Sequence, residues 1–242
     1  MTPTDLEKSG SDRKIRKGEM GCHLPFFFAQ WDGQFIGVKN MVVEYEEIPE
    51  ESSCVAAGSP QDTARLVIDR ARKDDLADIL FLANNRRIAE KLTNMLHPFT
   101  YEDAKALVKR SEVQLQSQAT FAIRMKNTGR FIGAIGFNPL AEDFGAVHLG
   151  YWVGEPFWNQ GYATEAVKSV MEFAFADAGI RVLSASCRVS NPASHRILTK
   201  CGFKQDGTTK LHSLGAKALV NATRFALTRT QWIANTRWGS AG

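Results

Sequence analysis

Disulfides, metal cages and membrane spans have little to work with in this chain. Its 242 residues include four cysteines, Cys22, Cys54, Cys187 and Cys201, and no two stand at CxxC spacing. Neither a zinc ligand set nor a disulfide framework is suggested. No apolar run approaches the ~20 residues that cross a bilayer. Residues 1–20 are charged and hold no apolar h-region, so no secretory signal is visible. The Pro25-Phe26-Phe27-Phe28 cluster is too brief to supply one. No array of basic and aromatic residues marks a nucleic-acid surface. Asn221-Ala222-Thr223 fits a glycosylation sequon, which has no use without a signal. These absences lead us to expect a cytoplasmic chain with packing thiols, no metal, no membrane and no direct nucleic-acid partner.

What is present is ordinary globular composition, 44% apolar and 23% charged residues, enough for one α/β domain plus an extension. The net charge of +4 is unevenly spread. Residues 1–60 carry six Lys/Arg against ten Asp/Glu, leaving 24 against 16 in residues 61–242, hence −4 against +8. A basic body suits an anionic ligand. In the first segment, residues 1–18 read as disordered, Asp32-Gly33 as a hairpin turn between apolar runs, and residues 49–60 as a linker.

Farther along, Ala64–Ile68 reads as the first strand of the core and Asp74 or Asp75 as the start of a helix to about Ala83. Thr100 is placed to cap a helix beginning at Tyr101, with Glu102 and Asp103 in its first turn. Residues 120–126 and 131–137 flank Asn127-Thr128-Gly129 as a hairpin. A last strand is expected over Thr223–Thr230.

The most informative stretch is Trp158-Asn159-Gln160-Gly161-Tyr162-Ala163-Thr164-Glu165-Ala166. A β-prone run, Ala146–Val153, leads into it. Behind it Ala163, Ala166, Val167, Val170, Met171 and Ala174 recur at helical spacing up to Gly179. A loop that turns into a helix on a glycine aims unpaired backbone N–H groups and the positive end of the helix dipole at one spot, a site for phosphate or pyrophosphate. A strand over Arg181–Val189 follows. Asn191 then caps a short helix with Pro192 at its first position, ending at Gly202.

The three motifs in this order, Gly150-Tyr151-Trp152-Val153-Gly154, Trp158 through Ala166, and Asn191-Pro192-Ala193-Ser194 with Gly202-Phe203, resemble the GNAT superfamily of N-acetyltransferases. More narrowly they are similar to the branch that acetylates ribosomal-protein N-termini, on alanine or serine. The likeness runs from about Ala64 to about Ile233. It implies an α/β (α+β) acyl-CoA N-acyltransferase fold: a mixed, mostly antiparallel sheet with a central splay and helices on both faces. Residues 61–235 would form that domain, with residues 1–60 as an extension and 236–242 as a tail.

The resemblance also implies chemistry. Acetyl-CoA would lie where the Leu149–Val153 strand splays from the Val182–Val189 strand, exposed by a bulge near Gly150. Its pantetheine arm would pair with Tyr151, Trp152 and Val153. Its pyrophosphate would sit on the turn formed by Asn159, Gln160, Gly161, Tyr162, Ala163 and Thr164. Asn191 and Ser194 would also touch the cofactor. Many members protonate the departing thiolate with a tyrosine that Asn191–Phe203 lacks, so Ser194 is the candidate acid. Where the branch commonly has a glutamate base, this chain has His148. Tyr101, Trp152 and Phe99 read first as core aromatics and second as a lining for the acceptor groove.

The expected activity is direct acetyl transfer, within a ternary complex, to a primary amine of a peptide N-terminus or small molecule. A homodimer is left open. The alternative is a CoA-binding regulatory protein without turnover.

Overall fold

The computed structural model describes residues 60–239, apart from 61, 141 and 142. The Asp32-Gly33 hairpin, the disordered start, most of the 49–60 linker, Cys22 and Cys54 fall outside the described residues.

Among the described residues, eight strands and six α-helices form one mixed layer system. The strands are β1 (Leu66–Asp69), β2 (Gln114–Leu115), β3 (Gln118–Met125), β4 (Phe131–Leu140), β5 (Asp143–Val153), β6 (Val182–Arg188), β7 (Lys204–Ser213) and β8 (Ala218–Thr228). The helices are α1 (Leu76–Ala83), α2 (Arg86–Ala89), α3 (Tyr101–Glu112), α4 (Tyr162–Glu172), α5 (Pro192–Lys200) and α6 (Arg229–Gly239). The sheet order is β1-β3-β4-β5-β6-β8-β7, with β2 also on the β3 edge. Every pairing is antiparallel except β5 with β6.

Local chemistry explains the boundaries. Thr100 caps α3 as expected, and Asp103 makes the cap reciprocal, Asp103 N donating to Thr100 Oγ1 at 3.2 Å and Thr100 N to Asp103 Oδ2 at 2.8 Å. Gly129 takes φ +68° in the β3–β4 turn. α4 loosens into a π-helical turn over Phe173–Asp177 and stops at Gly179, whose φ is +67°.

The sheet separates two cores. On one side α4, the π turn that follows it and α5 bury Val167, Val170, Phe173 and Leu198 against Phe121, Phe137 and Leu149. The Phe121 and Phe173 rings meet edge to face at 5.7 Å. On the other side α1 and α3 bury Ile79, Leu82, Leu107 and Val108 against Phe131 and Ala134. Each such side chain contributes roughly 1.5–3 kcal/mol of burial. Buried Arg124 ties β3 to β1 and the entry of α1, with Nε to Asp69 Oδ1 at 2.6 Å and Nη2 to Asp75 Oδ2 at 2.5 Å.

Three features differ from expectation. A ten-residue strand, β7, precedes the last strand, which itself begins at Ala218 rather than Thr223. Arg229–Gly239 form α6, running past residue 235, and Trp232 stacks on Phe175 at 5.4 Å. Finally, no bulge occurs at Gly150. The β4–β5 register is unbroken from Gly133↔Val153 to Pro139↔Val147.

Candidate cofactor and acceptor site

The one parallel contact in the sheet is short. β5 and β6 pair only over Ala146–His148 and Val182–Ser184. Beyond that β5 continues along β4 to Val153, and β6 continues along β8 to Arg188↔Ala222. The two strands therefore part company, leaving the facing edge of β5 without a strand partner. This divergence, not a bulge, opens the site.

Alternation decides which backbone groups face the gap. Gly154 N donates to Ile132 O at 2.8 Å, so the register makes even-numbered residues 148–154 the ones bonded to β4. Leu149, Tyr151 and Val153 turn their N–H and C=O groups toward β6. Trp152, expected among the pantetheine partners, turns its backbone to β4 instead. The Val153 carbonyl accepts from Trp158 Nε1 at 2.7 Å, which pins the following turn to the strand end.

That turn alternates in handedness. Asn159 has φ +60° and Gly161 φ +84°, and α4 opens at Tyr162 with no side-chain cap. Its backbone ladder begins with Glu165 N donating to Gly161 O at 3.1 Å. The N–H groups of Tyr162, Ala163 and Thr164 therefore lack intrahelical acceptors. Left-handed residues next to a helix start gather N–H groups into an anion-binding concavity. Gln160 Nε2 donates to Pro156 O at 3.0 Å, directing its side chain back along the loop.

Strand alternation puts His148 and Tyr151 on opposite faces of β5. His148 shares the α1/α3 face with Ser184, its partner in register. Ser184 Oγ donates to Val147 O at 3.2 Å, so it accepts from His148 Nδ1 at 3.2 Å. This network assigns the proton to Nδ1 and leaves the Nε2 lone pair free. Burial lowers the His148 pKa below its ordinary value.

On the α4/α5 face the Tyr151 hydroxyl lies 2.9 Å from Ser194 Oγ. Burial holds the phenol far above its ordinary pKa, so it stays protonated. Ser194 stands in the first turn of α5, where Asn191 Oδ1 accepts from Ser194 N at 3.3 Å as the expected cap. Cys187 and Cys201 are buried free thiols, with the Cys201 pKa pushed up to about 11 by burial. They are packing groups, as expected of their positions.

The structure thus brings Tyr151, Val153, Gln160–Thr164, Asn191, Ser194 and His148 around one gap. Phe99, 7% exposed, and Trp152 pack in the α1/α3 core, whereas Tyr101, 51% exposed, stands at the surface with Lys105 Nζ over its ring. Sequence reading missed two groups. Arg65 at the entry of β1 reaches the turn, donating from Nη1 to Gln160 O at 2.9 Å. Arg188 has Nε and Nη1 buried without a hydrogen-bond partner, two residues beyond Ser186 on the His148 face. A cleft of about 310 Å³, lined by Ala64, Arg65, Met125, Lys126, Asn127 and Tyr162, lies behind the turn on the β1 side.

Comparison with known proteins agrees with this fold. An N-acetyltransferase called p20 from Bacillus licheniformis, uncharacterized, is 26% identical over 173 residues, 70% of this chain and 96% of that protein. A solved ribosomal L7/L12 alpha-N-protein acetyltransferase in complex with coenzyme A superposes with a TM-score of 0.61 at 20% identity, covering 71% of this chain and 98% of the other. A spermidine N-acetyltransferase from Vibrio cholerae, solved with CoA and spermine, gives 0.59 at 14% identity over 71% and 99%. The family model described as an acetyltransferase (GNAT) domain matches residues 65–204. That span holds the β5–β6 divergence, the uncapped α4 turn and the capped α5, and the chain belongs to the GNAT acetyltransferases.

Proposed function

We propose that the protein binds acetyl-CoA in the β5–β6 gap and moves the acetyl group directly to a primary amine held beside it. The observation that carries this reading is the gap itself. It offers the edge of β5 beyond its last pairing with β6, at Tyr151 and the Val153 N–H, on one wall and leads to an uncapped, alternating-handed turn at Asn159–Thr164. The anionic end of the donor fits the turn and its extended arm fits the strand edge. Fusing donor and acceptor into one complex replaces a bimolecular encounter by a positioned one.

Two polar groups at the gap divide the proton work. The amine nitrogen forms a bond to the thioester carbon as the C–S bond breaks. A backbone N–H near Tyr151 stabilises the charge on the carbonyl oxygen. His148 Nε2 takes the amine proton on one face. On the other, Ser194, backed by the protonated Tyr151, returns a proton to the thiolate.

Magnitudes favour weakly basic acceptors. A lysine amine needs about 4.6 kcal/mol to be neutral at pH 7, and an α-amine about 1.1 kcal/mol. A base whose pKa burial has lowered suits the second case, so peptide N-termini or small weakly basic amines are the acceptors we favour. We place the reaction in the cytoplasm, within a domain that runs from about residue 61 through α6.

Calorimetric titration of acetyl-CoA into the wild type, Gly161→Asn and Gly161→Asp tests the cofactor part. Both residues tolerate left-handed backbone, so they differ chiefly in charge. Wild-type binding at micromolar affinity, with Asp at least about tenfold weaker than Asn, is expected if pyrophosphate sits on the turn. Equal binding by the two variants would remove the anion from the turn. Mass-spectrometric screening of a peptide library against a polyamine and aminoglycoside panel then tests transfer. Binding without acetylation of any amine would favour a regulatory CoA-binding role.

A further inference from the structure

We propose that Arg65 is a positioning residue for the anion turn, clamping it from β1 in the shape that receives the pyrophosphate. This rests on the acetyl-CoA reading above. Among the described residues, every interaction its guanidinium makes falls on residues 160–165. Nη1 donates to Gln160 O at 2.9 Å, Nε to Glu165 Oε2 at 2.8 Å, and Nη2 lies 2.6 Å from the same carboxylate oxygen. The guanidinium plane lies over the Tyr162 ring, 4.6 Å from its centroid. A Cβ placed on Gly161 would sit 3.3 Å from Nη2. One side chain therefore touches both ends and the middle of the turn.

Two physical consequences follow. A turn with left-handed residues at Asn159 and Gly161 has many alternative shapes, and bridging Gln160 to Glu165 removes most of them before the ligand arrives. The second consequence is electrostatic. Glu165 lies in the first turn of α4, where a free carboxylate would repel an incoming pyrophosphate. Instead its Oε1 accepts from Thr63 Oγ1 at 2.5 Å and from Arg65 N at 3.0 Å, and its Oε2 takes the guanidinium. The carboxylate is turned toward β1 and neutralised, and these bonds hold its pKa below the usual range. The pair is partly exposed, 48% and 18%, so its worth for global stability is small. Its effect belongs to the turn.

The experiment compares acetyl-CoA with S-acetylpantetheine, which shares the arm and lacks the pyrophosphate. Both are titrated into the wild type, Arg65→Met, Arg65→Lys and Glu165→Gln, each checked by circular dichroism and thermal melting. Arg65→Met is expected to weaken acetyl-CoA at least tenfold and leave S-acetylpantetheine within twofold. Arg65→Lys is expected to resemble Met, because one ammonium cannot bridge Gln160 O and Glu165 with a planar fork. Glu165→Gln is expected to fall between wild type and Met. Undiminished acetyl-CoA binding by folded Arg65→Met overturns the proposal, and so does an equal loss of both ligands. Should Arg65→Met not fold, the Lys and Gln variants carry the same comparison. A wild type that binds neither ligand sinks the cofactor reading instead, a result distinct from failure of the clamp.

Discussion

Ser184 determines what His148 can do. Its one proton goes to Val147 O, so its oxygen accepts from Nδ1 and the imidazole keeps Nε2 open. His148→Gln keeps a polar group in the strand and removes the base. It is expected to lower kcat about 10²-fold, the low end of general-base contributions, with KM for acetyl-CoA unchanged. The pH dependence follows from sign. A His whose folded pKa lies below 6.5 is neutral at pH 7, so the acid limb of the wild-type kcat profile falls below pH 6.5 and is absent in the variant. The same depression means the unfolded chain binds more protons below about pH 6.5. His148 therefore costs stability progressively as pH falls through that window, and His148→Gln should lose less stability between pH 6.5 and 5 than the wild type. Melting temperatures across that range check it. An acid limb centred above pH 7 in the wild type and lost in the variant would contradict the assignment. On the opposite face, Tyr151→Phe and Ser194→Ala remove two ends of one hydrogen bond. Their effects on kcat should be non-additive, the double variant resembling the worse single. Strict additivity would mean the two hydroxyls act separately.

Helix caps separate stability from function at the next scale. Thr100 caps α3, away from the gap, and Asn191 caps α5 beside it. Each change to Ala is expected to cost about 1 kcal/mol. Thr100→Ala should leave acetyl-CoA affinity unchanged, while Asn191→Ala should also weaken it, because releasing the first turn of α5 releases Ser194. Denaturant unfolding and ligand titration on the same two variants read out both quantities. These caps, the α4 stripe, the Asn127-Thr128-Gly129 turn and the two parallel strands were readable in the sequence because each leaves a local signature. β7 was not. Its residues Lys204–Thr208 are exposed on both faces, so an edge strand carries no apolar alternation to find. α6 escaped for a similar reason, its polar residues outnumbering anchors such as Trp232. Arg65 escaped because its partner, Glu165, is 100 residues distant, and single-sequence patterns report neighbours within a turn or a strand. Gly150 illustrates the reverse error. A glycine between β-prone residues suggested a bulge, yet the strand runs straight, and a Cβ there would meet open space. Gly133 and Gly136 are glycines the sheet requires, since a Cβ at either would lie 2.3 Å from a carbonyl of the neighbouring strand, Trp152 O or Ala119 O.

The ligand site and both cores share one sheet, which ties binding to the stability of the whole domain. The α4/α5 core holds one wall of the gap through Leu149 and the turn through Tyr162. The α1/α3 core supports the back of β4 and β5 through Phe131 and Trp152, whose rings meet at 5.8 Å. A ligand that binds only this arrangement must stabilise all of it. At a hundred times its Kd, acetyl-CoA should add about 2.7 kcal/mol. For a domain of this size that raises Tm by about 5–10 °C. The basic balance of residues 61–242, 24 Lys/Arg against 16 Asp/Glu, adds long-range attraction for the donor's phosphates. Raising ionic strength from about 0.01 M to 1 M shortens the screening length from about 30 Å to 3 Å. The shift with acetyl-CoA at fixed concentration should therefore shrink with salt. The shift with S-acetylpantetheine, uncharged at the end that meets the turn, should not. Scanning calorimetry of both complexes at low and high salt measures the difference, and a salt-independent acetyl-CoA shift would mean that the phosphates lie outside the reach of the basic domain.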